Sequence, residues 1–454
     1  MHTIIGGVFM NIKSDSRKIE QGDTFIALNY IHDGHEYIED AIKRGATKII
    51  AERGLYSVDT LIVNNTHEYL VSYLKNTYKE ELSNLKIIGM TGTNGKTTTC
   101  YLIHKALNDL GIKCAYIGTI GFYIDEKIND LNNTTPDILD LYEMLLYAKE
   151  KECKYVVMEV SSHALSMNRV EGLEFDYAIF SNLTRDHLDY HSTMENYLKE
   201  KQRLFNMLKN EKKAILNIDS PYYKDFLFEE NNNISYGFSS SDYMVSDYHI
   251  SLLGSTFTVN NIEYQTKLIG KHNIYNLLCV IVLLSELGIS SEQISKEISL
   301  LDAPVGRMDR INYKDNLIII DYAHTPDAVS NVISSVKELN ANKIYTIIGC
   351  GGNRDKKKRP IMAGIATENS DYVIFTSDNP RYEDPKDIIN DMITGLDKNN
   401  YEIEINRVNA INRGIQLLNK NDILLVLGKG HETYQIIGNK KIHLDDKEIV
   451  LSNI

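Results

Sequence analysis

The sequence predicts an α/β protein built on parallel sheets, and three observations carry that expectation. Near-continuous apolar strands alternate with helical stretches from residue 86 onward, the alternation breaks at about 220–270, and a second strand–helix series starts at Leu317. Strands without polar alternation are those buried on both faces, as in a parallel sheet covered by its crossover helices. Three domains are expected, at residues 1–85, 86–304 and 305–454, with Ala303-Pro304-Val305-Gly306 as the hinge before the last.

In the first domain, short strands (Phe25–Leu28, Lys48–Glu52, Thr60–Val63) accompany one helical stretch, Tyr37–Arg44. The second reads as strands Leu85–Met90, Cys114–Thr119, Tyr155–Val160, Tyr177–Leu183 and Lys213–Ile218. Helical patterns lie between them at Lys96–Leu110, Pro136–Glu150 and Met194–Leu208, and a helix at Asn273–Leu287 closes the domain. Strands Leu317–Asp321, Ile344–Cys350, Tyr372–Asp378 and Ile423–Gly428 build the third.

Composition narrows the function. The 454 residues carry 49 basic and 62 acidic side chains, a formal charge of −13, which disfavours nucleic-acid binding. An anionic ligand must therefore be held by local positive features. Five scattered cysteines without a CxxC pair fit a reducing cytoplasm. The longest apolar run, Leu277–Leu284, is too short for membrane insertion, and Ile4–Met10 lacks the basic flank of a signal peptide.

The sharpest motif is Gly92-Thr93-Asn94-Gly95-Lys96-Thr97-Thr98, between a strand and a helix. Successive N–H groups at such a turn, backed by a helix N-terminus, hold phosphate oxygens. Lys96 would reach the terminal phosphates and Thr97 would ligate Mg²⁺. The generic pattern GxxxxGK[ST] fails by one residue, at Met90. Glu159 ends an apolar strand, where a carboxylate is costly unless paired or metal-bound. Asp186-His187-Leu188-Asp189-Tyr190-His191 follows another strand end and suits a cation beside the loop. Zinc is the alternative there, disfavoured by the lack of nearby cysteines. Asn419-Lys420-Asn421-Asp422 spells a guanine-reading motif but precedes its strand, and reads as a polar turn. His431-Glu432-Thr433-Tyr434-Gln435 has glutamine where a zinc-protease motif needs its second histidine.

Together these motifs resemble the Mur ligases, from Asp15 to about Tyr434. Asp15-Ser16-Arg17, Gly22-Asp23-Thr24-Phe25 and Asp33-Gly34 are similar to the family's uridine-nucleotide domain. The phosphate loop has the family's own form, and Asn133–Asp137, Glu159–Leu165 and Asn182–Phe205 match in order. The resemblance implies a small N-terminal α/β domain, a central phosphate-loop ATPase domain and a C-terminal Rossmann-like domain. It implies an ATP-dependent ligase of cytoplasmic peptidoglycan synthesis, expected as a monomer, joining an amino acid to UDP-MurNAc-L-Ala-D-Glu through an acyl phosphate.

The resemblance also assigns residues. Ser16, Thr134, Thr135, Ser161 and Arg169 would contact the UDP-substrate, and Asn273, Arg307 and Asp321 the adenosine side of ATP. Thr97, Glu159, His187 and a carbamylated Lys201 would hold Mg²⁺. Read alone, Lys201 is a surface helix lysine like Lys199, and only the resemblance singles it out. Asp378-Asn379-Pro380-Arg381 is similar to the motif of members adding meso-diaminopimelate, with Arg354, Gly428 and Glu432 completing the site. Arg381 can bind the far carboxylate that distinguishes diaminopimelate from lysine. Three departures stand out: a shortened loop at Leu28–Gly34, Met167 in place of a glutamine, and His272 in place of a phenylalanine. A lysine-adding ligase, a paralogue with another acceptor and a non-catalytic ATP-binding regulator remain the alternatives.

Overall fold

The computed structural model describes residues 11–29, 32–251, 253–339 and 341–454. The Ile4–Met10 segment, read above as no signal peptide, lies outside them, as do Tyr30 and Ile31 of the shortened loop. Among the described residues no helix is long and apolar enough to cross a membrane.

The first sheet is wholly parallel, in the order β1 (Ile12–Lys13), β2 (Thr24–Ile26), β3 (Lys48–Ala51), β4 (Asp59–Ile62). Helix α1 (Ile38–Arg44) packs on it and ends at Gly45, whose φ of 115° is open to glycine. A second helix, α2 (Thr66–Leu82), corrects the expectation of a single one. Only Thr66, Leu70 and Leu74 are fully buried on α2. So narrow a stripe at i, i+4 and i+8 in a polar sequence leaves weak periodicity to read.

The second sheet has eleven strands. Its centre is β5 (Lys86–Thr91), flanked by β9 (Tyr155–Glu159) and β10 (Phe175–Phe180), all parallel. Beyond β9 come β6 (Cys114–Gly118), β7 (Gly121–Tyr123) and β8 (Lys127–Asn129); beyond β10 come β11 (Leu208–Asn217) and β12 (Asn232–Gly237). The hairpin strands β13 (Tyr243–Ser251), β14 (Gly254–Val259) and β15 (Ile262–Thr266) complete that edge. Parallel pairing holds the middle and antiparallel pairs close both ends. Helices α3 (Lys96–Asp109), α8 (Lys271–Glu286) and α9 (Ser291–Leu300) cover one face, and α4 (Ile138–Glu150) the other. Short helices α5 (Ser162–Ser166) and α6 (Leu188–His191) precede α7 (Met194–Gln202). Helix α7 was expected to run to Leu208. It ends at Gln202, and a 3₁₀ segment follows.

The third sheet runs β16 (Asp309–Tyr313), β17 (Asn316–Asp321), β21 (Ile423–Leu427), β18 (Ile344–Ile348), β19 (Tyr372–Phe375), β20 (Tyr401–Ile403). All pairs but the first are parallel. Helices α10 (Pro326–Lys337), α11 (Lys358–Asn369) and α12 (Pro385–Ile393) cover one face, with α13 (Arg407–Leu417) and α14 (Asp446–Leu451) on the other. A hairpin, β22 (Tyr434–Ile437) and β23 (Lys440–His443), stands beside it. The carboxyl ends of β5, β9 and β10 face that of β17 across one cleft, where ligands of such sheets collect.

Candidate active site

Between β5 and α3 the chain turns through Gly92 and Gly95. Gly95 has φ 88°, and a Cβ there would stand 2.7 Å from Asn276 Oδ1; at Gly92 a Cβ would collide with Ser181 Oγ. Asn182 fastens the loop, its Oδ1 accepting from Asn94 N–H and its carbonyl from Thr93 N–H, each at 2.9 Å. No side chain caps α3, so its first-turn N–H groups remain for an anion.

Two lysines converge on this loop. Lys96 Nζ donates to Gly92 O at 2.7 Å and to Thr93 O at 3.0 Å, while Lys201 Nζ donates to the same Gly92 O at 2.8 Å. Lys201 is 1% exposed, 4.6 Å from the Tyr197 ring centroid, which corrects the reading of it as a surface residue. Lys199, two residues earlier, is the exposed one and pairs with Glu195. Burial pushes the Lys201 ammonium well below its ordinary range, and neighbouring Lys96 pushes the same way. Two ammonium groups sharing one carbonyl repel, and an uncharged or anionic Lys201 relieves that repulsion.

Glu159 is fully buried. Its Oε1 accepts from Tyr116 O–H at 2.6 Å and Thr119 N–H at 2.8 Å; its Oε2 accepts from Thr97 O–H at 2.9 Å and Thr119 O–H at 3.1 Å. All four donors are neutral. A buried carboxylate without a paired cation costs several kcal/mol on the order of a desolvated ion, and a divalent cation answers that cost. Together with the Thr97 hydroxyl it is a hard-oxygen set of the kind Mg²⁺ prefers. His187, φ 54°, stands 3.2 Å from Asp186 at the same cleft. His191 instead turns inward to Ser162 Oγ at 2.9 Å. Among the described residues no three His, Cys, Asp or Glu side chains converge as a metal site. Tyr116 and Thr119 were missed by the sequence reading, since nothing local marks them as a carboxylate's partners.

Lys96, Thr97, Glu159, His187, Asn273, Arg307 and Asp321 all line one cavity of about 470 Å³ between the second and third sheets. Arg307 donates to Thr97 Oγ1 at 3.2 Å, and Asn94 donates to Asp327 at 2.7 Å. Asp321 spends its oxygens on the N–H groups of Met308 (2.7 Å) and Ala323 (2.8 Å), so it also anchors the segment after Gly306. A second depression of about 570 Å³ near Lys75 and Arg203 contains no candidate residue, and its charges are paired, as in Lys75–Glu174 and Lys209–Asp176.

Four of the five residues expected to bind the UDP-substrate are joined. Thr135 Oγ1 donates to Glu159 O at 2.8 Å and accepts from Ser161 N–H at 3.1 Å. Arg169 donates to Thr135 O at 3.1 Å and pairs with Asp137 at 2.9 Å, and Thr134 meets Thr119 at 3.1 Å. Ser16 lies in the first sheet's unit, its hydroxyl bonded to Asp40 at 2.7 Å, and shares no hydrogen bond with the other four. That unit rests on α4 through Lys13–Glu143 and Lys18–Asp140.

The remaining candidates gather at the ends of β18, β19 and β21. Arg381, at φ 53°, is held by its own N–H to Ile436 O (3.0 Å) and by Nη1 donating to Gly352 O (2.9 Å). Asn379 donates to Glu432 at 2.7 Å, Pro380 and Asp378 are buried beneath, and a Cβ on Gly428 would stand 2.7 Å from Asp378 Oδ2. Among the described residues Arg354 donates to Asn353 O. Among the described residues neither Arg354 nor Arg381 has a carboxylate within ion-pair reach. Burial and then Arg354 lower the Arg381 pKa. Two neighbouring guanidiniums with no carboxylate within ion-pair reach make a receptor for an incoming carboxylate.

A phosphate loop, a buried acid and a facing α/β domain that completes the cleft define a nucleotide-dependent group-transfer enzyme. Residues 90–284 match the Mur ligase middle domain, and residues 306–430 match the Mur ligase, glutamate ligase domain. The chain is 44% identical to a UDP-N-acetylmuramoyl-L-alanyl-D-glutamate–2,6-diaminopimelate ligase of Fusobacterium nucleatum subsp. nucleatum, over 98% of this chain and 93% of that protein. It is 40% identical to one of Clostridium perfringens, over 97% and 94%. A solved structure of such a ligase aligns with TM-score 0.69 at 33% identity, covering 98% of this chain and 94% of the other. The MurF ligase of Thermotoga maritima, solved with ADP, shares the fold at TM-score 0.68 and 17% identity, covering 97% and 96%. The chain belongs to the Mur ligase family, and it is an ATP-dependent, amide-bond-forming ligase.

Proposed function

We propose that the protein joins meso-diaminopimelate to the D-Glu γ-carboxyl of UDP-MurNAc-L-Ala-D-Glu, as a cytoplasmic monomer supplying peptidoglycan precursor. The observation that carries the choice of acceptor is the pair of guanidiniums, Arg354 and Arg381, with no carboxylate of their own. Diaminopimelate brings a far carboxylate to that pair, and lysine brings none. A site built to pair a polar group discriminates against the analogue lacking it by as much as ~10⁴.

In this reading residues 1–85 take the uridine nucleotide, with Ser16. Residues 86–304 hold ATP and the muramoyl dipeptide, the latter with Thr134, Thr135, Ser161 and Arg169. Residues 305–454 bring the acceptor, with Arg354, Asp378, Asn379, Pro380, Arg381, Gly428 and Glu432.

The loop from Gly92 to Thr98 cradles the phosphates, and Asn273, Arg307 and Asp321 bound the adenosine side. The γ-carboxylate of D-Glu attacks the γ-phosphate, so two anions must approach, and Lys96 offsets their repulsion. Lys201 is suited to carbamylation because an uncharged amine adds to carbon dioxide, forming an N–C bond and releasing a proton. The product replaces one of two repelling cations with an anion. Thr97, Glu159, His187 and the Lys201 carbamate would hold Mg²⁺, which supplies charge neutralisation at the phosphates. The attack on the γ-phosphate releases ADP and leaves an acyl phosphate; the acceptor amine then attacks its carbonyl carbon, expelling phosphate and losing a proton to give the amide. The third sheet closes the cavity over this step and keeps water from the acyl phosphate.

The test is oxygen transfer. With the γ-carboxylate labelled by ¹⁸O, one labelled oxygen is expected in the released phosphate, and turnover should require ATP, Mg²⁺, UDP-MurNAc-L-Ala-D-Glu and diaminopimelate together. Unlabelled phosphate would contradict the acyl-phosphate route.

A further inference from the structure

Behind the two guanidiniums lies a third cation. Lys429 stands between Gly428 and Gly430, directly after β21, and its side chain is 0% exposed. Its ammonium donates to Glu432 Oε2 at 3.0 Å and to Asn379 Oδ1 at 3.3 Å, 5.6 Å from the centroid of the Tyr434 ring. Asn379 donates to the same Glu432 oxygen at 2.7 Å and accepts the Ile436 N–H at 2.9 Å. Both bonds therefore fall on Oε2, and among the described residues none is directed to Oε1. Glu432 shares the pocket with Arg381, whose charge it acts on.

A glutamate so placed has two possible cationic partners. Bound to Lys429, it leaves the Arg381 guanidinium open and presents Oε1 to the pocket. Released, it is free to pair with Arg381 and cancel the charge that an incoming carboxylate needs. We infer that Lys429 is a positioning residue for the acceptor: by holding Glu432 Oε2 it keeps Arg381 free for the far carboxylate and aims Oε1 at the acceptor's ammonium. The inference rests on the function proposed above and adds to it the device that keeps the arginine available.

The experiment measures KM and kcat for diaminopimelate, and KM for ATP, in the parent, Lys429→Met, Glu432→Gln and the double variant. Lys429→Met is expected to raise the acceptor KM about tenfold or more, with kcat and the ATP KM within about twofold. A loosened fold would move all three. Glutamine cannot neutralise Arg381, so in the Glu432→Gln background the lysine substitution is expected to change the acceptor KM less than about twofold. That comparison still decides the matter if Lys429→Met alone fails to fold. An unchanged acceptor KM in Lys429→Met, or the same factor multiplying onto Glu432→Gln, would overturn the inference while leaving the function intact. A parent silent with diaminopimelate would overturn the function, and the inference with it.

Discussion

The two walls of the cleft are built on opposite plans. The proposed phosphate wall is one contiguous loop, Gly92 to Thr98, that would work through backbone N–H groups at an uncapped helix start. The proposed acceptor wall is assembled from three distant segments, around Arg354, Asp378–Arg381 and Gly428–Glu432, and would work through side-chain charge. A backbone cradle recognises any phosphate and says nothing of the acceptor. Damage to the first wall should therefore stop the reaction with every acceptor, and damage to the second should redistribute acceptors while leaving ATP handling intact.

The largest expected effect separates them most sharply. Lys201→Ala should lower phosphate release by about 10³ with any acceptor, the scale of losing an electrostatic stabiliser at developing charge. An added short carboxylic acid should restore part of it by standing in for the carbamate. Restoration by bicarbonate would contradict the carbamate, since alanine offers no amine. On the other wall, Arg381→Ala should reduce kcat/KM for diaminopimelate by about 10² and leave the ATP KM nearly unchanged. Steady-state kinetics with both acceptors checks this, and equal loss with lysine would erase the distinction between the walls.

The same contrast explains what could be read in the sequence. The phosphate loop is local, so strand, glycines, lysine and helix were visible as one string. Glu159 was visible because a carboxylate in an apolar strand is conspicuous. Lys201 was not visible by pattern: Lys199 shares its helix and residue type, and only the packing of α7 against Gly92 buries one and exposes the other. Arg381 was found by resemblance alone, and its left-handed φ and its missing acidic partner emerge only in three dimensions. Lys429 was overlooked although a lysine between two glycines after an apolar strand is an unusual string. Its partner Asn379 is fifty positions away. Helix α2 escaped notice because it buries a single narrow stripe.

The smallest expected effect concerns the scaffold beneath the phosphate wall. His104, on α3, is buried among Tyr101, Tyr116 and Tyr123, and burial lowers its pKa to about 4. Between that value and the 6.5 of an exposed histidine, the unfolded chain binds the extra proton, so stability is lost as pH falls through the window. The loss amounts to about 3 kcal/mol for a shift of this size. Thermal unfolding at pH 7 and pH 4.5 should show a smaller acid-induced drop in Tm for His104→Phe than for the parent. Equal drops would place the acid sensitivity elsewhere.

The central claim is that the acceptor wall selects a far carboxylate, and competition tests it most directly. With ATP, Mg²⁺, UDP-MurNAc-L-Ala-D-Glu and equal concentrations of meso-diaminopimelate and L-lysine, the parent should yield the diaminopimelate adduct by mass and essentially no lysine adduct. Equal or greater amounts of the lysine adduct would contradict the account.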